Sequence, residues 1–144
     1  MSPVPAGYEI STDPSRLDLG LMHRYLSEES YWAKGRTFEV VRTSVANSLN
    51  FGAYNVEGEM VGAARVVTDR ATFAWLCDVF VVEGHRGNGL GVALVEAVAS
   101  HPDLRDIKRL VLATGDAHGL YARFGFEPLA EGPARWMVRL GKNA

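Results

Sequence analysis

Three glycines two residues apart, Gly87, Gly89 and Gly91, separate a hydrophobic run, Phe80-Val81-Val82, from a segment with Leu90, Ala93, Leu94, Ala97 and Val98 at helical spacing. Strand, glycine loop and helix in that order can hold a phosphate. Glycine lets the backbone come close to the anion, its N–H groups turn inward, and the helix N-terminus adds partial positive charge. Arg86 puts a cation at the mouth of the loop. Two phosphate motifs do not fit the spacing. A dinucleotide fingerprint needs glycine three residues after Gly89, where Val92 stands, and a nucleotide P-loop from Gly84 needs lysine where Leu90 stands. The pattern that remains is Arg86-x-x-Gly89-x-Gly91. Just upstream, Asp78 is a carboxylate among Leu76, Val79 and Phe80, costly unless it is paired or lines a cavity. Cys77 is the sole cysteine, so no intramolecular disulfide can form, and its apolar neighbours suit a small buried thiol.

The elements that must position these residues follow from periodicity. Residues 1–7 hold two prolines and read as a loose terminus, and Tyr8 to Ser11 reads as a first strand. Asp13 and Pro14 suit the cap and first position of a helix with Leu17, Leu21, Met22, Tyr25 and Leu26 inward. Glu28 and Glu29 have the wrong sign for a helix C-terminus, so residues 30–36 read as a connection carrying Tyr31, Trp32, Lys34 and Arg36. Thr37 can cap a second helix with Phe38, Val41, Val45 and Leu49 inward. Strands are expected over 51–56, 60–68 and 72–82, the last buried on both faces. After the glycine-loop helix, closed by Ser100-His101-Pro102, come a strand over 110–114 and a short helix over 117–124 ended by Gly125. Gly132-Pro133 turns into a last strand from Arg135 to Leu140, with Trp136, Val138 and Leu140 on one face. The order β-α-α-β-β-β-α-β-α-β is a mixed α/β (α+β) sandwich with helices flanking a central sheet.

Composition bounds the reading further. The 144 residues suit one domain, and 47% hydrophobic with 22% charged residues is an ordinary globular balance. A net charge of −2 argues against non-specific nucleic-acid binding, which needs a basic face. The start lacks a basic region followed by an apolar core, and no apolar run approaches the ~20 residues that span a bilayer. A cytoplasmic protein with no membrane partner is the expectation.

Arg86-x-x-Gly89-x-Gly91 resembles the acyl-CoA loop, Gln/Arg-x-x-Gly-x-Gly/Ala, of the GCN5-related N-acetyltransferases (the GNAT family). Tyr121-Ala122-Arg123-Phe124-Gly125-Phe126 is similar to that family's Tyr-x-x-x-Gly-Phe after its fifth core strand. The two motifs stand in order on matching elements. The resemblance implies a single acetyltransferase domain over 1–144 with a mostly antiparallel sheet, acetyl-CoA as cosubstrate and no metal. It implies that Arg86, Gly87, Asn88, Gly89, Leu90 and Gly91 hold the pyrophosphate, and that main-chain groups of Phe80, Val81 and Val82 pair with the pantetheine arm. Thr114 departs from the asparagine common at that position but can still donate a hydrogen bond to the arm.

By the same resemblance Tyr121 is the general acid that protonates the departing thiolate. A phenol with an unperturbed pKa of about 10 is a ready proton source at neutral pH, although a helical stripe with Ala117, Leu120 and Phe124 would equally make it a core aromatic. Asp78 is either a base for the acceptor amine or a structural partner of a buried backbone or arginine group. Glu29, Tyr31, Trp32 and Arg36 line the implied acceptor site, with the glutamates attracting an ammonium group and the aromatics and guanidinium suiting a ring or carboxylate. Asp116 suits a cap for the last helix, and His118 an exposed surface position. The implied reaction is direct acetyl transfer to a primary amine of a small molecule or amino acid, since no serine or cysteine stands out as a nucleophile. A non-catalytic acyl-CoA-binding module, a protein lysine or N-terminal acetyltransferase, and a different nucleotide binder remain as alternatives. The acceptor, the acyl chain and the choice between monomer and homodimer stay open.

Overall fold

The computed structural model describes residues 4–129 and 136–141. Two successive aspartates divide the first helical region. Asp13 accepts from the Ser15 amide at 2.9 Å and starts only a 3-10 turn, Pro14–Arg16. Asp18 then accepts from the Leu21 amide at 3.0 Å and starts helix α1, Leu19–Arg24. The helix expected from Pro14 therefore begins one cap later, and it widens into a π-turn, Tyr25–Glu29. Helix α2, Phe38–Ala46, begins at Thr37 as expected, its hydroxyl accepting from the Val40 amide at 3.3 Å. Val41 and Val45 are its buried face; Phe38, expected inward, is exposed and meets the His23 ring edge-on.

Five strands, β1 (Glu9–Ser11), β2 (Leu49–Tyr54), β3 (Met60–Thr68), β4 (Ala74–Val81) and β5 (Leu110–Val111), form one sheet in that order. The first four are antiparallel, and β5 runs parallel to β4. Helix α3, Leu90–Ser100, covers one face, with Leu90, Leu94 and Val98 against Phe51, Val66 and Leu76. Helices α1 and α2 and the π-turn cover the other, where Met22, Leu26, Val41 and Val45 join Tyr54, Ala63 and Phe80. A last short helix, α4, spans His118–Ala122. Among the described residues no helix is long and apolar enough to cross a membrane.

Two irregularities in the sheet make room for a site. Opposite Ala64, strand β4 carries one extra residue, because Arg65 pairs with Cys77 while Ala63 pairs with Phe80. Asp78 sits in this bulge with φ of 53°. Beyond it the two faces exchange: Leu76 packs toward α3, whereas Phe80 packs toward α1 and α2. Strands β4 and β5 pair only at Ala74–Leu110 and Trp75–Val111 and then part. The strand expected over 110–114 is thus two residues long, because Leu112 onward has left the sheet.

The last expected strand is not formed. Arg135 and Gly132-Pro133 lie outside the described residues, and residues 136–141 have no regular structure. Their alternating apolar pattern finds no strand partner among the described residues, so Met137 and Val138 stay 95% and 81% exposed, while Trp136 leans on Phe73. Of the loose terminus expected over 1–7, residues 1–3 also lie outside the described residues, and the rest closes a turn in which the Tyr8 amide donates to the Pro5 carbonyl.

The close packing of α3 on the sheet rests on Gly62, where an added Cβ would lie 2.9 Å from the Phe80 carbonyl oxygen and 3.4 Å from Leu94. Gly62→Ala should therefore destabilise the domain by ~1–3 kcal/mol, seen as a lower urea midpoint at unchanged slope. Gly84→Ala, whose added Cβ meets nothing within 4 Å, is the control and should stay within about 0.5 kcal/mol.

Candidate active site

Where β4 and β5 part, a cavity of about 750 Å³ opens between residues 75–81, residues 112–117 with Tyr121, and the connection between α1 and α2. The parted strands leave one edge of β4 without a strand partner among the described residues, and the connection reaches over it.

Asp78 is at the centre. Its Oδ2 accepts from Arg36 Nη1 and from Arg65 Nε, both at 2.8 Å, and its Oδ1 accepts from Trp32 Nε1 at 2.9 Å. The Asp78 side chain is 2% exposed, that of Arg65 9% and that of Arg36 22%. Burial pushes the Asp78 carboxyl up, but the charges and hydrogen bonds of Arg65 and Arg36 and the Trp32 donor outweigh it, so the group titrates below the usual carboxylate range. A left-handed aspartate costs on the order of 1–3 kcal/mol and persists only where its surroundings hold it. Three donors on one carboxylate do that. Arg65 also donates to the Ser48 hydroxyl at 3.0 Å, which anchors the cluster beside α2.

The connection is rigid for local reasons. The Ser30 hydroxyl donates to the Leu26 carbonyl at 2.6 Å and accepts from the Ala33 amide, and the Arg36 amide closes a turn onto the Ala33 carbonyl. Trp32 and Arg36 are thereby aimed at β4, while Lys34 turns back to the Glu28 carbonyl. Tyr31 packs edge-on against Trp32 and reaches the opposite wall, where its hydroxyl accepts from the Gly115 amide at 3.3 Å. Glu29 lines the rim and is exposed.

At the end of β4 the chain passes through a 3-10 turn, Glu83–His85, into the glycine loop. Gly87 and Gly89 have φ of 86° and 89°, in open space, so it is the left-handed backbone that requires glycine there. Gly89 precedes α3 with no side-chain cap, leaving the Gly91 and Val92 amides of the first turn open to an anion. Asn88 Oδ1 lies 3.3 Å from the Leu90 amide, and the Leu90 side chain is buried in the core. Arg86 does not point out of the loop. Its Nε donates to the Val81 carbonyl at 2.8 Å and its Nη2 to the Tyr25 hydroxyl at 2.7 Å, with the Tyr25 ring stacked on Phe80 at 4.2 Å. The Val82 amide is committed to the Val61 carbonyl within the sheet.

Tyr121 lines the wall opposite β4, half-buried, its ring edge-on to Phe126. Burial first, then Tyr31 and Asp116, push its phenol above the ordinary value, so it stays protonated at neutral pH. Among the described residues nothing accepts its hydroxyl proton. Thr114 also lines the cavity, and its hydroxyl accepts from the Ala117 amide at 3.0 Å. The cap expected of Asp116 is not made: α4 has no side-chain cap, Thr114 holds only the turn that leads into it, and Asp116 and His118 are exposed. Burial pushes the Cys77 thiol up to about 11, so it faces the cavity as a neutral thiol.

The cavity therefore gathers Phe80, Val81, Arg86, Thr114, Tyr121, Asp78, Glu29, Tyr31, Trp32 and Arg36, while Val82 and Gly87 to Gly91 lie beyond its walls. Sequence reasoning did not single out Arg65 or Tyr25. A lone arginine in apolar β3 and a lone aspartate in apolar β4, on strands joined by a short turn, were the available signal. A second cavity, about 640 Å³ between Arg16, Arg24 and Met60, gathers none of these groups.

Removing the Asp78 charge leaves two guanidinium groups facing each other, so Asp78→Asn should cost about 3–5 kcal/mol in urea unfolding at neutral pH. Because the folded carboxyl titrates below the unfolded value of about 3.9, its contribution is present above that value and is lost as pH falls through the depressed one. The stability gap between wild type and Asp78→Asn should accordingly be constant at neutral pH and close in acid; a gap independent of pH down to acid unfolding would contradict the ion-pair geometry.

Residues 21–126 match the family model described as the Acetyltransferase (GNAT) family. A candidate acetyltransferase of Gibberella zeae is 30% identical over 138 residues, covering 81% of this chain and 76% of that protein. The crystal structure of a candidate GNAT-family acetyltransferase from Xanthomonas campestris superposes with a TM-score of 0.89 at 48% identity, over 96% of each chain. At 18% identity a Mycobacterium tuberculosis protein solved with CoA shares the fold alone, with a TM-score of 0.66 over 88% of this chain and 76% of that one. Family model, relative and fold agree with the parted sheet and glycine loop: the chain belongs to the GNAT family of acetyltransferases.

Proposed function

We propose that this protein transfers an acetyl group from acetyl-CoA directly to a primary amine of a small molecule or amino acid. The observation that carries the reading is the parting of β4 and β5, with the glycine loop at the end of one wall and, on the other, a protonated Tyr121 whose hydroxyl has no partner among the described residues. A GNAT-fold structure solved with CoA supports the cosubstrate.

The residues fit that cosubstrate. The Gly91 and Val92 amides at the start of α3 and the left-handed Gly87 and Gly89 suit a pyrophosphate, and the edge of β4 that faces away from β3 suits an amide-bearing arm. Arg86, tied to the Val81 carbonyl and Tyr25, braces the end of β4 rather than reaching outward. Thr114, whose hydroxyl holds the turn leading into α4, positions the Tyr121 wall. In the reaction the amine nitrogen bonds to the thioester carbonyl carbon, the carbon–sulfur bond breaks, and the thiolate takes the Tyr121 proton. The raised pKa of Tyr121 keeps that proton in place until a strong base forms beside it. The Cys77 thiol, neutral at pH 7, is no competing nucleophile. Asp78 changes role. With both oxygens occupied and its basicity lowered, it holds Arg36 and Trp32 in place and does not deprotonate the amine.

A thermal-shift titration tests the cosubstrate: acetyl-CoA at 100 times its dissociation constant should stabilise by ~2.7 kcal/mol, several degrees for this size, with ATP and NAD giving none. Tyr121→Phe should keep that shift yet lower the rate of thiol release with an amine acceptor by about ten-fold or more. A shift without thiol release from any amine would favour a non-catalytic acyl-CoA-binding module.

A further inference from the structure

Arg36 holds Asp78 through Nη1 alone. Among the described residues nothing accepts from its Nε or Nη2, and its side chain, 22% exposed, lines the cavity. The guanidinium is already desolvated on one side and fixed in plane by a buried carboxylate, so little freedom is lost when its other edge binds a ligand. Two guanidinium groups against one carboxylate leave a single positive charge in excess on this part of the wall. That excess matches one monoanion better than a dianionic phosphate. Trp32 and Tyr31 stand beside it as apolar walls, and exposed Glu29 and Asp116 on the rim have the sign that draws an ammonium.

We propose that the acceptor amine also carries a carboxylate, and that Arg36, preset by Asp78, binds it. This rests on the acetyl-transfer reading of the same cavity and narrows its acceptor to amino acids and related amino carboxylates. Carboxylate and guanidinium pair through two parallel N–H···O bonds, which fix orientation as well as affinity.

The test compares acetyl-CoA-dependent thiol release with the common amino acids, their carboxamides, and phosphoethanolamine, in wild type, Arg36→Lys and Arg36→Gln. The expected result is an amino acid whose kcat/KM exceeds that of its carboxamide by about ten-fold or more, mostly through KM. That ratio should shrink in Arg36→Lys, which keeps the charge but not the fork, and vanish in Arg36→Gln. A purely structural Arg36 would lower both substrates together and leave the ratio unmoved, which overturns the proposal. So does a carboxamide or phosphoethanolamine used as well as the amino acid, or release from none of them while acetyl-CoA still raises the melting temperature. Loss of that melting shift itself defeats the underlying acetyl-transfer reading instead, and the proposal with it.

Discussion

The buried carboxylate of Asp78 is the constraint on which the site depends. An ionised carboxylate that is 2% exposed survives only if donors replace its water, and here three donors come from two separate parts of the chain: Trp32 and Arg36 from the connection after α1, and Arg65 from β3. One anion therefore ties a loop to the sheet and sets the height of that loop above β4. Replacing all the partners by well-packed apolar groups could be neutral for stability. What such a replacement would lose is position, since no apolar contact fixes a guanidinium plane.

The same residue explains the shape of the cavity. Asp78 stands in the bulge of β4, and the extra residue exchanges the faces on which Leu76 and Phe80 pack. Before the bulge, at Ala74 and Trp75, β4 pairs with β5; beyond it β4 keeps only β3 as a strand neighbour among the described residues, and the gap on its other side is the cavity. The bulge gives β4 the reversed facing that lets Phe80 stack on Tyr25, which in turn receives Arg86. Through that chain of contacts the Asp78 cluster and the glycine loop share one strand. A strained, left-handed aspartate is tolerable because the cluster that holds it is also the cluster that shapes the wall.

Much of this was legible in the chain alone. Local signals placed α2 through Thr37, α3 through the glycines before it, and β3 with its turn, because caps, turns and periodicity act over a few residues. The paired glycine-loop and tyrosine motifs pointed to the family. The misplaced features depended on competition or on distant partners. Two aspartates five residues apart both offered a cap, and the second won the helix. The apolar alternation of Trp136, Val138 and Leu140 promised a strand, but a strand needs a neighbour to pair with, and none of the described residues supplies one.

By itself the sequence determined most of the element types, the place of the glycine loop, and the family. Tertiary structure alone decided that Trp32, Arg36 and Arg65 meet on the Asp78 carboxylate, that Arg65 and Tyr25 line the cavity, and that Arg86 turns inward. Glycine conformation and helix capping are properties of neighbouring residues. The protonation and orientation of a buried charge depend on which donors folding brings to it from 13 to 46 residues away.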